Sequence, residues 1–122
     1  MIMNKLLILT LILAISLPSF AGLKEKHLIG KWTYKAVLDQ EIFTGFLKFE
    51  KKEGKLAGEV VTGNGETYPF TKIEIKEKNI LYLELKPEYD VIVISLTVED
   101  GRYTGTGSNY SGSVPISGEK IE

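Results

Sequence analysis

The stretch Val91-Ile92-Val93-Ile94-Ser95-Leu96-Thr97-Val98-Glu99-Asp100-Gly101-Arg102-Tyr103-Thr104-Gly105-Thr106-Gly107-Ser108 decides the architecture. Its first eight residues are apolar on both faces except for Ser95 and Thr97, Glu99-Asp100-Gly101 is a tight-turn signal, and Tyr103, Gly105 and Gly107 then alternate with polar residues. Neither half offers the three-and-four spacing of a helical stripe, whereas a period of two marks a half-buried strand. Ile92, Ile94, Leu96 and Val98 are assigned to the core face, and the two halves form an antiparallel hairpin.

The same alternation extends to both sides of this hairpin. Trp32, Tyr34, Ala36 and Leu38 share one face of a strand over 31–38, and Phe43, Gly45, Leu47 and Phe49 one face of a strand over 42–50. Lys51-Lys52-Glu53-Gly54 turns the chain into a third strand with Leu56, Gly58 and Val60 inside. After Gly63-Asn64-Gly65-Glu66, the fourth strand places Ile73 and Ile75 inside. Tyr68-Pro69-Phe70 at its start breaks the pattern and puts a proline where a donor is needed, which predicts a bulge or bend. Leu81, Leu83 and Leu85 line a fifth strand, and Val114, Ile116 and Gly118 an eighth that ends at Lys120 and Ile121.

Eight consecutive strands with short connections favour nearest-neighbour antiparallel pairing. The expected fold is all-β: an eight-stranded antiparallel up-and-down β-barrel, preceded by a short helical turn near 23–28. A sandwich of two stacked sheets is the rival arrangement. Closure removes exposed strand edges, and inward glycines at Gly45, Gly58, Gly105 and Gly118 supply the positions without side chains that strong coiling needs; glycines crowding near turns are the plainer reading.

The first residues form a separate unit. Lys5 precedes an apolar run from Leu6 to Leu17, and Pro18-Ser19-Phe20-Ala21 ends in small residues at the two positions a signal peptidase reads. Residues 1–21 are therefore expected to be a cleaved signal peptide, with residues 22–122 as the mature domain. A retained anchor is the alternative, but Pro18 cuts the run short of the ~20 residues a span requires. The product is expected in the periplasm or outside the cell, with no stable membrane insertion after cleavage. The chain has no cysteine, so the mature domain relies on an apolar core rather than disulfides. Lys5 is the one charged residue before Gly22, which leaves 14 basic and 16 acidic residues and no long block of one sign. Nothing in that balance recruits nucleic acid or an anionic membrane.

Gly30-Lys31-Trp32, at the start of strand one of eight, resembles the Gly-x-Trp signature of the lipocalin-like (calycin) superfamily. The mature chain is similar in strand count and order to minimal lipocalin-like domains exported by bacteria. The resemblance implies a turn that closes one end of the barrel and a basic side chain from the last strand packed on the tryptophan. Lys120 matches that partner, where the family usually carries arginine. Lysine can cover an indole face through a cation–π contact but lacks the planar fork of arginine.

Classical catalysis lacks its parts. His27 is the one histidine, and it is best read as a surface or end-capping residue. With no cysteine either, neither a nucleophile–base pair nor a multi-histidine metal site can be assembled. Carboxylates such as Glu50, Glu59, Glu74, Glu84, Asp90 and Glu99 fall on outward faces or turns, so no paired-carboxylate hydrolase site is expected. Gly105-Thr106-Gly107 lacks the helix and the Gly-Lys-Ser/Thr of a phosphate loop. No cofactor or metal is expected.

The aromatic residues carry the functional expectation. Trp32, Tyr34, Phe43, Phe49 and Tyr103 fall on inner faces, and apolar walls with a few hydroxyls are how small binding sites are built. The same side chains could instead fill the lumen, because eight strands enclose little more than their own side chains. The expected role is that of a non-enzymatic exported binding protein taking a small apolar or amphipathic ligand through some of Tyr34, Phe49, Tyr68 and Tyr103. The alternative is an interaction or inhibitor protein with a solid barrel that holds a macromolecule through loops 63–66 and 108–112.

Overall fold

A computed structural model describes residues 22–122, and the expected signal peptide over residues 1–21 lies outside the described residues. A one-turn helix, α1 (Glu25–Leu28), leads into β1 (Gly30–Leu38) and β2 (Glu41–Lys52). β3 (Lys55–Thr62), β4 (Thr67–Lys76), β5 (Ile80–Leu85) and β6 (Ile92–Glu99) follow, then β7 (Arg102–Asn109) and β8 (Gly112–Glu119). Each strand pairs antiparallel with the next, and β8 returns to β1 to close the barrel. The stacked-sheet alternative is thereby excluded.

Turn chemistry fixes the registers. Lys52 pairs with Lys55 and Glu99 with Arg102, leaving two-residue turns at Glu53-Gly54 and Asp100-Gly101. All four turn residues have positive φ, the mirror-image turn whose twist matches that of the flanking strands. Asp39 and Gln40 make the β1–β2 turn with φ of 50° and 68°, although neither is glycine.

β4 shows the irregularity that Pro69 forecasts. Glu59, Val60 and Val61 of β3 pair with Pro69, Tyr68 and Thr67, and that ladder ends at Pro69, which has no N–H. The β4–β5 register then shifts between Phe70 and Lys72. This bulge inserts one residue into the alternation, so Tyr68 and Phe70 before it and Ile73 and Ile75 after it all pack on the core. Where β3 and β4 part, the Phe49 and Phe70 rings stack with centroids 5.6 Å apart. Gly58 lies beneath them, and a Cβ there would come within 2.8 Å of Phe49 Cδ1.

One end of the barrel is shut by α1 and by the segment that follows β8. The Trp32 indole N–H donates to the Leu28 carbonyl at 2.8 Å, which ties α1 over the opening and satisfies a helix-end acceptor. A Cβ on Gly30 would lie 2.1 Å from the Glu122 carbonyl oxygen, and with φ of +133° only glycine fits there. His27 caps the other end of the helical turn, its Nδ1 accepting the Lys24 N–H at 3.1 Å.

Among the described residues Lys120 makes no cation–π contact with Trp32. Its backbone forms a bridge with Trp32, but its ammonium donates to the His27 carbonyl at 3.3 Å, one of the helix-end oxygens without an intrahelical partner. The indole packs instead against the Tyr103 ring, with centroids 5.9 Å apart. Among the described residues the lysine–ring contacts are those of Lys31 with Phe46, and of Lys72 and Lys76 with Tyr82.

Candidate functional site

The lumen divides into two halves along the barrel axis. Toward the closed end Leu28, Trp32, Leu47, Phe49, Leu81 and Leu96 are all at most 3% exposed, and no space for a water molecule remains between them. Interdigitated leucines and aromatics fill that half, as side chains do in protein interiors. Toward the other end the lumen holds a cavity of about 630 Å³ that opens between the β1–β2, β3–β4, β5–β6 and β7–β8 turns. The lumen is thus filled in one half and open in the other.

Residue size explains the difference. On one wall the inward positions belong to Ala36 on β1, Gly107 on β7, and Val114 and Ile116 on β8, which together occupy little of the lumen. Facing them are Val60, Leu85, Ile92 and Ile94 from β3, β5 and β6, and Leu38 and Phe43 form the lip. No charged side chain lines the cavity. Its polar groups are hydroxyls and one amide: Tyr34, Thr62, Tyr68, Ser108, Asn109 and the serines of the last turn. Two other recesses, at the outer side of the β1–β8 seam and beside α1, are bordered by charged groups such as Arg102, Glu119, Lys26 and Asp100.

The four aromatic residues expected at the binding end separate into two pairs. Tyr34 and Tyr68 line the cavity. Phe49 and Tyr103 do not, and they sit in the packed half, each 3% exposed. Phe49 is held by its stack on Phe70, and the Tyr103 hydroxyl donates to the Thr33 carbonyl at 2.7 Å. Burial pushes the Tyr34 phenol above the usual tyrosine range, so it offers the cavity a neutral hydroxyl.

The mouth has electrostatic structure of its own. The Tyr68 hydroxyl donates to Glu66 Oε2 at 3.3 Å, and Asn109 Nδ2 donates to Asp90 Oδ2 at 3.1 Å. Two carboxylates therefore each stand one hydrogen bond away from a side chain of the cavity wall. The charge of Glu66 is the main cause that raises the Tyr68 pKa, with a smaller contribution in the same direction from Glu88. Sequence alternation places carboxylates on turns but does not show which turns ring an opening.

Loops 63–66 and 108–112, considered in the sequence as surfaces for a macromolecule, belong to this rim. Thr62 bonds through its hydroxyl to Asn64 and accepts the Glu66 N–H at 3.1 Å, which makes the first of them a tight, self-bonded turn. The Ser111 N–H donates to Asn109 Oδ1 at 2.8 Å in the second. Ser108, Asn109, Ser111, Gly112 and Ser113 contribute wall as well as rim, a role that the hydroxyl-rich composition of the run from Thr106 to Ser113 suits. Among the described residues, no group of three histidine, aspartate or glutamate side chains is placed to hold a metal ion.

No protein-family model matches the chain, and no curated protein does. Solved structures do. A redesigned β-barrel superposes with a TM-score of 0.62 at 13% identity, covering 80% of this chain and 95% of its own. A second redesigned β-barrel, mFAP1, solved bound to DFHBI, superposes with a TM-score of 0.59 at 13% identity, covering 80% of this chain and 97% of its own. At that identity the shared property is the β-barrel fold.

Proposed function

We propose that this chain is a non-enzymatic exported binding protein of lipocalin-like form, which takes a small apolar or amphipathic molecule into the open half of its barrel. The observation that carries the reading is the cavity of about 630 Å³, walled by aliphatic side chains with a few hydroxyls and no charged group. That volume and lining fall within the range typical of small-molecule sites. The redesigned β-barrel mFAP1, similar in fold, was solved bound to DFHBI. Export rests on the composition of residues 1–21. The lipocalin-like assignment rests on Gly30 and Trp32 at the start of β1, where the glycine leaves room for the Glu122 backbone and the tryptophan ties the closing helix to the barrel.

The test is a titration with the neutral probe N-phenyl-1-naphthylamine, whose emission rises on transfer into an apolar site. Saturable one-to-one binding is expected, and Ala36→Phe, which projects a ring into the cavity, weakens it at least about tenfold while leaving the far-ultraviolet circular dichroism unchanged. Native mass spectrometry of protein taken from its own host then identifies a carried molecule. Absence of saturable binding favours the second reading, contact with a macromolecule through loops 63–66 and 108–112, for which the fully exposed ring of Tyr110 speaks.

A further inference from the structure

From the rim of this cavity we infer that the ligand is a cationic amphiphile: an alkyl or aryl tail carrying an amine or quaternary ammonium head. The inference rests on the proposed binding role and specifies the chemistry of what is bound. The apolar wall can take only the tail, because it presents no charge to neutralise a head group. A head group must therefore remain at the mouth, and the charges there are mostly of one sign. The four turns around the opening carry Asp39, Glu66, Glu88 and Asp90 against Lys86. At the opposite end the turn residues Glu53, Glu77 and Asp100 against Lys78 are offset by the flanking strand residues Lys52, Lys55, Lys76 and Arg102 against Glu99 and Glu119, whereas the strand ends at the mouth add only Glu41. The acidic bias is a property of the mouth rather than of the whole protein.

Geometry places the charge beside the cavity and not merely near it. Glu66 is hydrogen-bonded to Tyr68 and Asp90 to Asn109, and both partners are wall residues from different sides of the opening. The Asp90–Asn109 bond also ties the β5–β6 loop to the β7–β8 turn. Those two loops carry Tyr89 and Tyr110, whose rings are 101% and 92% exposed. Carboxylates and open aromatic faces together attract an ammonium and repel a carboxylate, sulfate or phosphate head. Low-dielectric walls beneath the ring of charges strengthen that preference near the mouth.

The experiment compares three ligands with the same ten-carbon tail, decyltrimethylammonium, decanol and decanoate, by calorimetric titration at neutral pH and low ionic strength. The cation is expected to bind at least about tenfold more tightly than the carboxylate, with the alcohol between them. The cation-to-alcohol ratio is expected to fall toward one when salt is raised to ~0.3 M, and also in the triple variant Glu66→Gln, Glu88→Gln, Asp90→Asn. Equal binding of the three head groups, tighter binding of decanoate, or a triple variant that keeps the full ratio overturns the cationic assignment and leaves the cavity reading intact. Failure of all three ligands to bind overturns the binding role itself, and the head-group assignment with it.

Discussion

The hydroxyl of Tyr103 on β7 donates to the carbonyl of Thr33 on β1 at 2.7 Å and so bridges a gap in the β1–β8 seam. The ladder there pairs Lys35 with Ser117 and Ala36 with Ile116, and backbone contact resumes at the bridge of Trp32 with Lys120 and the bonds of Lys31 with Ile121 and Glu122. Between them the Glu119 N–H donates to the Thr33 hydroxyl at 3.0 Å, so side chains complete what the ladder leaves open. A buried carbonyl without a donor costs free energy, and replacement of tyrosine by phenylalanine removes this donor with little change of shape. Tyr103→Phe is expected to lower stability by about 1–2 kcal/mol, seen as a lower urea midpoint at unchanged slope. An unchanged midpoint would mean that water replaces the phenol.

The inward glycines make a sharper test of closure. A Cβ on Gly105 would lie 1.9 Å from the Ser95 carbonyl oxygen, and one on Gly118 1.9 Å from that of Thr33, both backbone atoms and the second also the acceptor of the Tyr103 hydroxyl. Gly107, two residues from Gly105 on the same face, has nothing nearer than Ile94 Cγ1 at 3.9 Å. Gly105→Ala and Gly118→Ala are expected to destabilise the barrel by about 3 kcal/mol or more, beyond ordinary overpacking. Gly107→Ala is expected to fold with stability within about 1 kcal/mol of the parent and a slightly smaller cavity. Equal thermal midpoints for the three variants would contradict the coiling seen here.

Much of this was legible in the sequence, because a strand half buried in a barrel writes its phase directly into the residue pattern. The inner faces of β1, β2, β5, β6 and β7, the irregularity at Pro69 and the glycines of tight coiling all follow from that period. Height along the barrel axis does not. Tyr34 and Tyr103 share the inward phase, yet strand tilt and stagger put one on the cavity wall and the other in the packed half. Whether the lumen is hollow depends on which small residues meet across it, here Ala36, Gly107 and Val114, and so on the registers of three strands together. The path of Lys120 was equally hidden, since the free carbonyl it reaches exists only once α1 has formed.

Phe49 and the cavity can be separated experimentally. Its ring, 3% exposed, plugs the opening between β3 and β4 against Phe70. Phe49→Leu removes the stack and leaves a void, with an expected loss of about 1–3 kcal/mol. Affinity for the naphthylamine probe is expected to stay within about twofold of the parent value, since the cavity wall lies in the other half. A selective loss of probe binding would return Phe49 to the site.

Trp32 reports on the closed end. It is the single tryptophan, 2% exposed, with its indole N–H bonded to Leu28. Its emission is expected at short wavelength, with acrylamide quenching that is weak in the folded protein and rises together with unfolding. Ligands entering the open half are expected to leave both properties unchanged, because the indole is absent from the cavity wall. A ligand-induced red shift would show that binding loosens the helix end.

Stability at alkaline pH provides a last test of the seam. Burial, with the neighbouring Tyr34 as a smaller cause, pushes the Tyr103 phenol well above its ordinary value of 10.0. Below that value folded and unfolded chains both hold the proton, and the contribution of Tyr103 is fully present. Above it the unfolded chain releases the proton while the folded barrel retains it, so stability falls as pH rises toward the folded value. A single such group gives a slope of up to about 1.4 kcal/mol per pH unit. Phenylalanine has no proton to release, and every other titrating group is common to both proteins. The stability advantage of the parent over Tyr103→Phe is therefore expected to be constant up to about pH 9 and to shrink or reverse by about pH 11.5. Denaturant titrations of both proteins across that range measure it, and a gap independent of pH would show that Tyr103 ionises inside the folded barrel.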